Sequence, residues 1–115
     1  KEIKVRVVPD SAQAGQGYSK VQSLIDAGVT LDILGNTSWS MHHKFCVLDG
    51  RTVLNGSFNW SERAAFKNME NIIVTSSPKL IRKFQQEFAR IVKLNLNQFK
   101  GDTEHTTTAK KNVKQ

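Results

Sequence analysis

Met41-His42-His43-Lys44-Phe45-Cys46-Val47-Leu48-Asp49-Gly50, continuing through Arg51-Thr52-Val53-Leu54-Asn55-Gly56-Ser57-Phe58-Asn59-Trp60, decides how this chain is read. Phe45-Cys46-Val47-Leu48 is apolar and partly β-branched, which predicts a buried strand over 42–49. Side chains alternate faces along a strand, so His42 and Lys44 point the same way. Asp49-Gly50 reads as a tight turn into a second short run, Thr52-Val53-Leu54, and the two runs form a hairpin. That hairpin returns Ser57 and Asn59 to the side of His42 and Lys44. An imidazole, an ammonium and small polar donors in one place make a site for an anionic, phosphorylated substrate.

Taken singly, each of these residues has an ordinary explanation. A lone histidine beside a strand is usually solvated or hydrogen-bonded, and a lone lysine is usually surface. The combination is another matter. H-x-K-x4-D-x6-G-S-x-N fixes six positions, and at about one residue in twenty they coincide by chance on the order of once in tens of millions of windows.

Met41-His42-His43-Lys44-Phe45, Gly56-Ser57-Phe58-Asn59-Trp60-Ser61 and Asn68-Met69-Glu70-Asn71 together resemble the HKD signature of the phospholipase D superfamily. The likeness is to its single-motif branch, which holds bacterial Nuc-type endonucleases and the Zucchini/MitoPLD mitochondrial cardiolipin hydrolases. It covers about residues 3 to 93 and includes one motif copy. The resemblance implies a phospholipase D-like α/β fold, with a mixed β-sheet flanked by helices. It implies a metal-independent hydrolase, a phosphodiesterase that works through a covalent phosphohistidine. His42 would be the nucleophile, and Lys44 and Asn59 would donate to the non-bridging oxygens, with Ser57 as a further donor to phosphate. Asp49 belongs to the family motif, but its odd separation from His42 predicts that it orients neighbours rather than touching phosphate. Glu70 matches a family carboxylate that orients the catalytic imidazole. An exposed turn aspartate and an exposed strand-end glutamate are the plain alternatives for these two.

A single motif supplies one histidine where a two-step covalent mechanism needs a second to protonate the leaving oxygen. His43 faces away if His42 faces in, and His105 lies near the end of the chain. The expectation is therefore a homodimer with a composite active site, as in single-motif relatives. Substrates implied by the resemblance are single-stranded RNA or DNA, or an anionic phospholipid such as cardiolipin (endonuclease and nuclease work, or lipid degradation). The alternative is a non-catalytic anion-binding fragment, or the partner subunit of another HKD protein.

At 115 residues with a formal net charge of +7, the chain is at most one small domain with an affinity for polyanions. Its one cysteine, Cys46, excludes an internal disulfide and reads as a small buried hydrophobe. One cysteine and three scattered histidines make no metal site, and no cofactor is expected. The zinc-binding element that some relatives carry upstream has no counterpart here. No apolar run approaches the roughly 20 residues of a membrane span. The chain opens at Lys1 directly into a strand-like run, so it is expected to lack the N-terminal strand-helix-strand portion of its relatives. Membrane-surface association through such a missing segment, at the mitochondrial outer membrane, is what the resemblance implies for location.

Around the motif, Ile3 to Val8 alternates as a half-buried strand, and a Gly-rich connector follows Pro9-Asp10-Ser11. Tyr18 to Ala27 fits a helix closed by Gly28, and Val29 to Leu34 a strand, which predicts a parallel βαβ unit. Ser61 is placed to cap a short helix through Phe66. Glu70 to Thr75 reads as a strand. A last helix starts at Ser77-Pro78 with an apolar stripe of Leu80, Ile81, Phe84, Phe88, Ile91 and Val92. Residues 1–100 form the expected catalytic domain and 101–115 an expected disordered basic tail. Trp39 and Trp60 flank the motif, where a base, an acyl chain or the core could take them; the core is the ordinary fate.

Overall fold

The computed structural model describes residues 3–36 and 38–111, with side chains as far as residue 97. The chain is mixed α/β and divides into two compact units, one made of the residues up to Met41 with those from Arg90 on, the other of His42–Ala89. Among the described residues the strands form two small sheets, one of two strands and one of three.

In the first unit β1 (Arg6–Val7) pairs in parallel with β2 (Thr30–Leu31). Main-chain bonds carry the parallel run further: Asp32 N–H donates to Val7 O at 2.9 Å and Leu34 N–H to Pro9 O at 3.0 Å. Two helices lie between the strands. The stretch expected as a plain connector contains α1 (Ser11–Ala14), because the Asp10 carboxylate accepts from the Gln13 N–H at 3.1 Å and so satisfies an otherwise orphan donor. The helix expected over 18–27 is the shorter α2 (Val21–Asp26). Gly28 closes it as predicted. At φ 77° its own N–H reaches Ile25 O, and Val29 N–H reaches Leu24 O at 3.0 Å, the paired bonds of a Schellman end.

Leu34, Ile91 and Val92 are buried in this unit, and with them Asp32 and Asn95. The buried carboxylate is matched. Arg6 donates to Asp32 from Nε at 2.6 Å and from Nη2 at 3.0 Å, and Asn95 adds a third bond at 3.4 Å. The Arg6 guanidinium holds the Asp32 carboxyl below the usual carboxylate range, and Asn95 pulls the same way.

The second unit is built on the predicted hairpin. Strand β3 (Phe45–Leu48) pairs antiparallel with β4 (Thr52–Gly56), in the register Phe45↔Asn55 to Leu48↔Thr52. Asp49 and Gly50 both take positive φ, 51° and 63°, and Arg51 N–H closes the turn on Leu48 O at 2.9 Å. The paired strand is thus shorter than the 42–49 expected, and His42–Lys44 precede it. Strand β5 (Ile72–Thr75) adds antiparallel to β4, giving the order β3-β4-β5. Between β4 and β5 lies α3 (Glu62–Phe66), with the Ser61 hydroxyl accepting from the Ala64 N–H as its sequence predicts.

Helix α4 (Pro78–Lys111) begins with Pro78 at its first position. Val53 and Ala64 are buried in this unit along with Ile81. Full burial of a valine such as Val53 contributes about 1.5–3 kcal/mol. Phe45 meets Phe84 at a tilt, with ring centroids 5.0 Å apart, and Phe88 edge-on at 6.4 Å, so two of the six residues of the predicted α4 stripe form an aromatic floor under β3. Leu80, assigned to the same stripe, is instead 46% exposed. Helical backbone also continues past Gly101, where the polar composition predicts none. A helix already nucleated gains a hydrogen bond for each residue it adds, which offsets modest propensities. The end of the expected tail, 112–115, lies outside the described residues.

Candidate active site

The hairpin brings most of the predicted site residues together at its open end. Lys44 Nζ lies 3.3 Å from His42 Nδ1 and donates to His42 O at 2.8 Å. An ammonium has only protons to give, so Nδ1 is the acceptor and a neutral His42 ring carries its proton on Nε2. The other strand end is fixed beside it. Lys44 O accepts from Gly56 N at 3.3 Å and from Asn55 Nδ2 at 3.2 Å. Both the His42 and Asn59 side chains are exposed, and Lys44 is half-buried.

Ser57 and Glu70 do something the sequence does not predict. The Ser57 hydroxyl donates to Glu70 Oε2 at 2.5 Å and accepts from Asn71 N–H at 3.0 Å. A hydroxyl has one proton, so in this state Ser57 offers none to a phosphate. Glu70 takes a second bond from Asn68 Nδ2 at 2.9 Å. Its carboxyl is held below the usual range first by the Ser57 hydroxyl, then by the Asn68 amide, with a weaker pull from the Lys44 charge. Among the described residues no hydrogen bond joins Glu70 to His42. The partners of this carboxylate within the chain are Ser57 and Asn68. The Asn68-x-Glu70-Asn71 spacing was the available signal for this, but its partner lies on the far side of α3.

Asp49 is not brought to the site. It occupies the turn, at the opposite end of β3 from Lys44, about 17 Å away at 3.3–3.4 Å per residue. Cys46 is half-buried in β3, and burial pushes its thiol pKa up, which suits an inert packed side chain. Among the described residues no three or more His, Cys, Asp or Glu side chains gather to hold a metal ion, and no helix is long and apolar enough to cross a membrane. Core burial, the ordinary fate of the flanking tryptophans, does not hold for either: Trp39 is 43% exposed and Trp60 is 72% exposed.

The arrangement is an ammonium and an imidazole side by side, next to a carboxylate-braced loop. Comparison with known proteins shows the family. The PLD-like domain of cardiolipin synthase matches residues 1–92. A mitochondrial cardiolipin hydrolase of Chlamydomonas reinhardtii is 43% identical over 91 residues, which are 79% of this chain and 40% of that protein. This chain therefore spans about two fifths of the length of that relative. Among solved structures, the phospholipase D family member Nuc from Salmonella typhimurium superposes with a TM-score of 0.67 at 28% identity, covering 77% of this chain and 60% of Nuc. NucT from Helicobacter pylori shares the fold, with a TM-score of 0.69 at 23% identity over 79% of this chain and 63% of NucT. By its motif, its fold and the extent of these matches, the chain belongs to the phospholipase D superfamily, in the PLD-like domain family of cardiolipin synthase.

Proposed function

We propose that this chain carries half of a phosphodiesterase site that cleaves through a phosphohistidine. The observation that carries the reading is the 3.3 Å approach of Lys44 Nζ to His42 Nδ1. A phosphodiester arriving at this site draws Lys44 and Asn59 to its non-bridging oxygens. Withdrawal of Lys44 from Nδ1 lets the ring proton move there, which leaves the Nε2 lone pair to attack phosphorus. A P–N bond forms, the P–O bond to the leaving group breaks, and the departing oxygen takes a proton from a general acid. Water then attacks phosphorus and breaks the P–N bond, returning the histidine. Lys44 performs the cationic work at phosphate, so the reaction needs no metal ion. His42 of a second copy is the general acid, which makes the active unit a homodimer.

Phospholipid is the first substrate class to test. Trp60, Phe66 and Met69 stand 72%, 77% and 101% exposed between Asn59 and Glu70, apolar groups of the kind an acyl chain or bilayer surface meets. The relatives named mitochondrial cardiolipin hydrolase support the same class and a mitochondrial location. The net charge of +7 favours single-stranded nucleic acid as the second class.

Hydrolysis of cardiolipin vesicles, single-stranded RNA and single-stranded DNA, each with EDTA and each repeated with His42→Ala, tests the reading. Turnover that survives EDTA and disappears in the variant is expected. Turnover retained by His42→Ala would sink the histidine mechanism. Specific activity that stays constant on dilution below the dimer dissociation constant would sink the composite site.

A further inference from the structure

The residue between the two motif side chains has a partner of its own. His43 Nε2 lies 2.9 Å from Glu87 Oε1 on α4, two elements 44 positions apart in sequence. The His43 ring also stands edge-on to Phe45, with centroids 5.5 Å apart. Phe45 in turn sits on Phe84 and Phe88 of the same helix. The His43 side chain is therefore held on two sides, although it is half exposed.

This matters because the sheet does not hold the nucleophile. The β3–β4 pairing begins at Phe45↔Asn55, and the last main-chain bond toward the motif is Gly56 N–H to Lys44 O. His42 and His43 lie beyond it. Among the described residues, the bonds that the segment itself makes are Lys44 Nζ on His42 O and Nδ1, and His43 on Glu87, while Met41 N–H just before it is held by the Asp10 carboxylate at 2.9 Å. The first is lost when Lys44 turns to a phosphate. The second is untouched by substrate.

We infer that His43 and Glu87 form a positioning pair that keeps the His42 imidazole aimed while Lys44 is engaged with substrate. The inference rests on the phosphodiesterase reading above. His43 touches no substrate in this account. It acts through the backbone of its neighbour, and the aromatic floor beneath Phe45 keeps the pair in place.

The test uses the full-length protein with bis(p-nitrophenyl) phosphate, a soluble phosphodiester that is neither lipid nor nucleic acid. His43→Ala and Glu87→Ala should each lower kcat about tenfold to a hundredfold, the scale of an ångström-sized misplacement. KM should stay within about twofold, because Lys44 and Asn59 still bind the phosphate. The double variant should be no slower than the slower single one, and His43→Gln, which can still reach Glu87, should recover part of the rate. Nitrogen-15 spectra of the His42 ring should show mixed tautomers in His43→Ala with a phosphate analogue bound, and a single tautomer in the parent. Unchanged kcat in both single variants, with His42→Ala inactive, overturns the positioning role and leaves the phosphodiesterase reading standing. Activity in His42→Ala overturns both. Should His43→Ala fail to fold, Glu87→Ala gives the same reading from a partly exposed helix position.

Discussion

Ser57 gives its hydroxyl proton to Glu70 across 13 residues of sequence, at 2.5 Å, and takes the Asn71 N–H in return. The serine of the Gly56-Ser57-Phe58-Asn59 segment is thus a brace on a carboxylate. Ser57→Ala and Glu70→Ala should therefore lower kcat/KM by similar factors, about tenfold each. The double variant should be little worse than either, because one interaction is removed three ways. The folded-state Glu70 carboxyl is lowered, so its contribution is complete above the unfolded value near 4.3 and fades as pH falls through the lowered one. Glu70→Gln should remove that acid dependence, which a pH series of thermal unfolding would detect.

Lys44 lies against His42 in the free chain, and under the proposed function it binds phosphate in the complex. Lys44→Ala should lower kcat/KM by about a hundredfold to a thousandfold, the cost of one charge-stabilising donor. Lys44→Arg should recover little, since a planar guanidinium does not place one charge at both points. Steady-state kinetics on a soluble phosphodiester decide it, and recovery to near parent values in the arginine variant would contradict the placement.

A Cβ on Gly56 would collide with the Asn71 carbonyl oxygen, where β4 meets the start of β5. Neither strand can yield without breaking the Gly56↔Ile72 pairing and the Ser57 N–H bond to Asn71 O. Gly56→Ala should destabilise by about 2–4 kcal/mol, in the range of overpacking in a closed site. The midpoint of urea unfolding measures it.

In the other unit, Asp32 is buried and held by Arg6 and Asn95. Asp32→Asn should cost about 1–2 kcal/mol at neutral pH, kept modest because the Arg6 side chain is 46% exposed. The Asp32 carboxyl is lowered in the folded state, so its contribution stands above the unfolded value near 3.9 and is lost as pH falls through the folded one. The variant and parent should converge in stability at strongly acid pH, as thermal melts across that range would show.

Trp60 and Phe66 give the lipid reading a direct check. Replacing both with Ser should lower turnover of cardiolipin in vesicles by about tenfold or more, while a soluble phosphodiester is cleaved as before. Equal losses on both substrates would mean the two side chains support the fold rather than meet lipid.

The sequence alone determined the features set by neighbours along the chain. The Asp49-Gly50 hairpin, the Schellman end at Gly28, the Ser61 cap and the Pro78 helix start are all as read, because each depends on dihedral preferences and hydrogen bonds spanning a few residues. The pairing of His42 with Lys44 belongs here too, since two positions of spacing bring them together. Tertiary structure decided the partners that lie far apart in sequence. It joined Ser57 to Glu70, Glu70 to Asn68 as well, and His43 to Glu87. It also left Trp60 and Leu80 outside the core that their hydrophobicity favours. A short hydrogen bond or a buried face is settled by which elements meet, and a linear pattern carries the period of an element but not the identity of its neighbour.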